Sequence, residues 1–157
     1  MSSPTIVRRT TLVVRDIHKS VAFCRGALGL SVYYDSELEL SGVTMPIASA
    51  GAKCHLVIMQ AEDPWIGMLG LMQVTDPEEP DPGPYRQRLS IGDVAFVMQS
   101  SDARAAFEKV RASGVQLIQE PIESSVPKPG GGEIRMITSS FFDPDGFFIE
   151  VNQRLSS

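Results

Sequence analysis

The stretch Asp76-Pro-Glu-Glu-Pro-Asp-Pro-Gly-Pro84 places four prolines in nine residues. No helix or central strand continues through it, because each proline fixes its own φ and removes an amide donor. The chain is thereby expected to fold as a first unit over about 5–62 and a second over about 91–154, joined by a proline-rich linker over about 76–90. Neither half would bury enough apolar surface to be comfortable alone, so the two are read as one domain spanning 1–157.

Both halves carry the same order of patterns. Ile6–Val14 reads as a strand with Leu12 and Val14 on one face and Arg9, Thr11 and Val13 on the other. Asp16 then offers a carboxylate to the free amides of a helix carrying Val21, Cys24 and Leu28, and Gly29 ends it. Ser31–Leu40, Thr44–Ser49 and Lys53–Gln60 follow as three strands, while Ile66–Val74 is ambiguous between an extra strand and an edge loop. In the second half, Asp93–Gln99 alternates as a strand. Ser101 or Asp102 caps a helix with Ala103, Phe107 and Val110 on one face, and Gly114 stops it. Strands near Val115–Gln119, Glu133–Ser139 and Phe147–Gln153 complete a duplicated βαβββ unit. The fold class is α+β, with two tandem units.

Composition excludes several classes of function. At 157 residues, 43% apolar and 21% charged, the chain has the profile of a soluble globular domain. Its apolar runs, such as Leu56–Met59, fall far short of the roughly 18 residues of a membrane span, and no signal-peptide hydrophobic region opens the chain. A cytoplasmic protein with no membrane partner is expected. Cys24 and Cys54 lie in apolar runs and read as buried thiols, not as a disulfide or zinc framework. A net charge of −5 without a basic stripe disfavours nucleic acid as a partner.

The segment Thr11-Leu-Val-Val-Arg-Asp16-Ile-His-Lys-Ser20-Val-Ala-Phe23-Cys-Arg-Gly-Ala-Leu28-Gly-Leu30 resembles the opening of the vicinal oxygen chelate superfamily, which groups glyoxalases, bleomycin-resistance proteins and extradiol dioxygenases. Asp143-Pro-Asp-Gly146-Phe-Phe-Ile-Glu150-Val resembles its closing strand. The resemblance implies two mixed sheets curled around a central cavity, and a homodimer. It also implies a divalent metal (zinc, iron, nickel or manganese) held by His, Gln or Glu from the first strand and Glu or His from the last strand of each unit, where it acts as a Lewis acid. A fold that hosts many activities does not by itself name one.

The residues meet that metal pattern poorly. Arg9 stands at the first-strand position, and a guanidinium does not coordinate a cation. In the second unit the matching position is Ala95 by one count and Asp93 by another. Glu150 occupies the terminal-strand position. The Gly51–His55 spacing equals that of Gly146–Glu150 and offers His55 as its partner, with Val57 as the alternative register. Two readings stay open. In one, His55, Asp93 and Glu150 hold a metal. In the other, which the sequence favours, no metal is held: His55 is a hydrogen-bonded strand histidine, Asp93 caps a strand start, and Glu150 pairs with Arg9.

His18 sits at an exposed helix start, and Ser20, Ser101 and Ser139 lack triad partners. Gly130–Gly132 precede a strand and form no phosphate loop; a flexible loop at the cavity mouth is expected there. Arg9 is expected to anchor an anionic oxygen, with Glu150 as a general base if catalysis occurs. Thr11, Tyr33, Met59, Trp65 and Asp93 are the further candidate substrate contacts. The favoured function is a protein that binds a small organic molecule without the full metal site. A metal-dependent lyase, isomerase or dioxygenase and a non-catalytic binding module are the alternatives.

Overall fold

A computed structural model of the protein describes residues 3–155. The chain forms two compact units, the first made of the residues up to Arg25 with Gly29–Gly83, the second of Gly26–Leu28 with the chain from Pro84 onward. Among the described residues, two four-stranded mixed sheets and two helices give an α+β fold with no closed barrel. Among the described residues, no helix is long and apolar enough to cross a membrane.

The first unit runs β1 (Arg9–Val13), α1 (Ile17–Gly26), β2 (Ser31–Glu39), β3 (Lys53–Gln60) and β4 (Met68–Asp76), in the sheet order β1-β4-β3-β2. β1 lies parallel to β4 and the other pairs are antiparallel. Asp16 starts α1 by accepting the amides of His18 and Lys19, both at 3.1 Å. The Lys19 amide foremost holds the Asp16 carboxyl below the ordinary aspartate range. Gly29 takes φ +72°, and the Leu30 amide turns back to the Cys24 carbonyl at 3.0 Å.

Thr44–Ser49 is not a strand. It belongs to a loop whose neck is closed by Leu40 N to Ala52 O (2.8 Å) and Gly51 N to Leu40 O (2.9 Å). Met45 and Ile47 of that loop, with Leu40, pack on Cys54, Leu56, Ile58, Met68 and Met72 of the sheet. Their apolar character therefore serves packing from a loop, and Pro46 between them could not join a ladder from both sides. Gly42 makes the fold-over possible: it has φ +71°, and a Cβ there would lie 2.6 Å from the Ala50 nitrogen. The third strand after the helix is β4, the segment left ambiguous by its pattern.

The second unit runs β5 (Ala95–Gln99), α2 (Ala103–Ala112), β6 (Leu117–Pro127), β7 (Glu133–Phe142) and β8 (Phe148–Arg154), in the order β5-β8-β7-β6. Asp102 caps α2 by accepting the Ala105 amide at 2.9 Å, and Ala103, Phe107 and Val110 are its buried face, as the spacing predicts. β6 is longer than expected because it is an edge strand, where Pro121 and Pro127 cost no ladder bond that a neighbour needs. Gly130–Gly132, all at positive φ, form the β6–β7 turn closed by Lys128 N to Gly132 O at 3.0 Å.

Candidate functional site

The two faces of each sheet are distinguished by one glutamine. In the first unit Gln73 Oε1 accepts the Ile17 amide at 2.9 Å, so its side chain points to the face on which α1 begins. His55 is opposite Gln73 in the ladder and shares that face, where its ring lies 6.0 Å from that of His18, edge to face. Val57, Met59, Leu69 and Leu71 follow the same parity. Arg9, Thr11, Met68, Gly70 and Met72 point the other way. In the second unit Gln153 Oε1 accepts the Ala103 amide at 3.0 Å. Glu150, three residues earlier, therefore occupies the face turned away from α2, together with Val97 opposite it.

These matched bonds set the correspondence between units. Val14 N donates to Met72 O at 2.9 Å, and Ser100 N to Asn152 O at 2.8 Å, while Gln73 and Gln153 each hold the first turn of a helix. Counting back three residues from each glutamine makes Gly70 the counterpart of Glu150. The ladders then make Thr11 the counterpart of Val97 and Arg9 that of Ala95. Spacing had matched His55 to Glu150. That match fails because His55 lies on β3, one strand away from the last strand of its unit, and on the opposite face.

Gly70 leaves no room for a side chain unless Thr11 or Arg9 moves. A Cβ there would lie 2.7 Å from Thr11 Oγ1 and 3.3 Å from Arg9 Cδ, so Thr11 and the Arg9 stem occupy the space a ligand side chain would need. At the corresponding place in the second unit, Glu150 is held by a short polar chain. Thr138 Oγ1 donates to Asn152 Oδ1 at 2.7 Å, and Asn152 Nδ2 donates to Glu150 Oε1 at 2.9 Å. Asn152 and Thr138 were not singled out from the sequence. Asn152 is legible in hindsight by its two-residue spacing from Glu150 on one strand face; Thr138 is reached only through the β7–β8 register.

The remaining candidates lie elsewhere. His55 Nε2 is 2.6 Å from Asp35 Oδ1. Asp93 precedes β5, where its Oδ2 accepts the Ser90 amide at 2.7 Å and its Oδ1 pairs with Arg86, so both oxygens are spent on the turn. Met59 is fully buried on the α1 side and fills core, instead of lining the face that carries Arg9. Tyr33 is the extra residue of a bulge between Val32 and Tyr34 and stays exposed. Trp65, in the β3–β4 loop, carries the Arg8 guanidinium 3.5 Å over one ring face. Asp63 fixes that loop by accepting the Trp65 and Ile66 amides at 2.7 and 2.8 Å.

The donor chemistry does not fit a divalent metal. Of the two last-strand positions, one is a glycine closed by Thr11 and Arg9; the first strands supply a guanidinium, a threonine, an alanine and a valine. Among the described residues, no group of three or more His, Cys, Asp or Glu side chains is placed to hold a metal ion. What the faces offer is a cation with a hydroxyl on one sheet, and an oriented carboxylate on the other.

The sequence profile of the glyoxalase/bleomycin resistance protein/dioxygenase superfamily matches residues 6–151. No curated protein matches the sequence closely enough to count as a relative. Among solved structures, a glyoxalase family protein from Bacillus cereus is similar with a TM-score of 0.77 at 13% identity, covering 99% of this chain and 97% of that one. Glyoxalase I of Leishmania major, described as trypanothione-dependent, has a TM-score of 0.61 at 16% identity, covering 96% and 87%. A fosfomycin resistance protein from Listeria monocytogenes, FosX, solved as a mutant with Mn(II) and a dihydroxypropylphosphonic acid, has a TM-score of 0.51 at 19% identity, covering 96% and 90%. At these identities the likeness is one of fold.

Proposed function

Because the chain belongs to the glyoxalase/bleomycin resistance protein/dioxygenase superfamily, we propose that it binds a small organic molecule carrying an anionic oxygen, and does so without the divalent metal used by members of that superfamily. The observation that carries this reading is Gly70, at the place of Glu150, closed by Thr11 and by the stem of Arg9. A guanidinium and a hydroxyl on one strand face recognise a carboxylate or enolate oxygen through charge-assisted hydrogen bonds. In the second unit, taken by itself, Glu150 is oriented by Asn152 and Thr138 at one oxygen, and its other oxygen is an acceptor for a proton or a general base toward a molecule bound on that sheet. Tyr33 and Trp65, both exposed, are secondary candidates for apolar contact.

Two measurements test this. Calorimetric titration with a panel of aromatic and aliphatic carboxylates is expected to find a ligand whose affinity falls at least tenfold in Arg9→Ala; unchanged binding in that variant removes Arg9 from the site. Elemental analysis after exposure to nickel, cobalt, zinc, manganese and ferrous ions and exhaustive desalting is expected to find no stoichiometric metal. Near one metal per chain overturns the metal-free reading in favour of a metal-dependent lyase, isomerase or dioxygenase. A homodimer belongs to the same reading, and a monomer in light scattering at micromolar concentration removes it.

A further inference from the structure

We infer that the first unit contains a second ligand site, a recess at the ends of β1 and β4 that takes an organic cation with an apolar body. The recess has a volume of about 670 Å³, within the range of small-molecule pockets. It is lined at the C-terminal ends of the two strands, Arg9 and Thr11 are not among its lining residues, and the inference does not depend on the function proposed above. Its apolar walls are Val13 and Val74 from the two strand ends, Ile47 from the loop folded over the sheet, and Pro80 and Pro82 from the proline-rich segment.

The charge around that apolar interior has one dominant sign. Glu78, Glu79 and Asp81 line it, against a single cation, Arg15. Arg15 is committed: its Nη1 lies 2.5 Å from Asp81 Oδ1 and donates to the Gly83 carbonyl at 2.8 Å, which ties the proline-rich segment to the end of β1. Glu78 and Glu79 make no ion pair among the described residues. Two uncompensated carboxylates beside a low-dielectric wall attract an ammonium and repel a carboxylate, and the attraction weakens with salt. The prolines restrict the backbone of this wall before any ligand arrives, so less ordering cost falls on binding.

The test uses the full chain and two probes of the same shape and opposite charge, 1-naphthylmethylamine and 1-naphthaleneacetate, followed by amide chemical shifts. The amine is expected to shift the amides of Val13, Ile47 and Val74 saturably at low salt, and to bind several-fold more weakly in half-molar sodium chloride. The double variant Glu78→Gln with Glu79→Gln is expected to lose at least fivefold in amine affinity while keeping the wild-type spectrum elsewhere. Should that variant misfold, Ile47→Ala provides the second test, since it enlarges the wall without touching the charges and is expected to weaken the amine while preserving its preference over the acetate. Absence of amine binding, equal binding of the two probes, or an affinity untouched by removal of both glutamates would each overturn the inference.

Discussion

Thr11 stands over Gly70 across the β1–β4 ladder so closely that a methyl group on Gly70 would lie 2.7 Å from its hydroxyl oxygen. The threonine is β-branched and stiff at χ1, and its methyl Cγ2 is also close, at 3.2 Å, so a χ1 rotation that turns the oxygen away still leaves a heavy atom in tight contact. Gly70→Ala is therefore expected to destabilise the protein by about 1–3 kcal/mol, as overpacking does. Thr11→Ala should remove most of that penalty in the double variant. Urea unfolding of the four proteins checks the coupling, and strictly additive losses would show that the two side chains do not compete for one space.

Gln73 and Gln153 perform the same task in their own units, each accepting the first amide of a helix from the sheet below it. Replacing either with Met keeps the length of the side chain and leaves a helix-start amide without its acceptor. A loss of about 1–2 kcal/mol is expected for each. Denaturant titration should show similar losses for Gln73→Met and Gln153→Met. A loss in only one would mean that the repeat is geometric without being energetic.

Local punctuation carried most of the fold. Asp16, Gly29, Asp102 and Gly114 act as caps and stops because capping depends on a few atoms within one turn. β4 escaped because Met68-Leu-Gly-Leu-Met72 is buried on both faces, which erases the alternation by which a half-buried strand is recognised. Met45 and Ile47 misled in the opposite sense, since a loop packed on a sheet shows strand-like apolar spacing without any ladder. With β4 ambiguous in its pattern, the spacing offers His55 or Val57 as the partner of Glu150, and both lie on β3 instead of the last strand of the unit. The residues that orient Glu150 lay out of reach for a different reason: Thr138 meets Asn152 only through strand register, which no local pattern encodes.

His55 tests the assignment of faces. It bonds Asp35 Oδ1 at 2.6 Å on the α1 side of the sheet, with the Asp35 side chain more than half exposed. A pair of that exposure contributes at most about 1 kcal/mol. His55→Ala is expected to lower stability by about that amount, to leave ligand affinity at the Arg9 face within twofold, and to leave metal content unchanged. A ligand or metal lost together with the imidazole would place His55 in the site and reverse the face assignment.

Asp143 makes the closing turn of the second unit sensitive to pH. Burial pushes its carboxyl up to about 6, although its Oδ1 accepts the amides of Phe147 at 2.8 Å and Asp145 at 2.9 Å, which act in the opposite direction. The unfolded chain releases this proton near 3.8, so between about 4 and 6 the native state binds more protons than the unfolded one. The contribution of Asp143 is then fully present below the lower value, and it declines as pH rises through about 6. Two pKa units correspond to about 3 kcal/mol in all. Asp143→Asn keeps an oxygen for both amides and cannot ionise. Thermal or urea unfolding is expected to show the two proteins nearly equal at pH 4 and the asparagine variant more stable at pH 7.5, the gap opening between those values. Because all other carboxylates are common to both proteins, a gap that stays constant with pH would show that Asp143 ionises in the native protein as readily as in the unfolded chain.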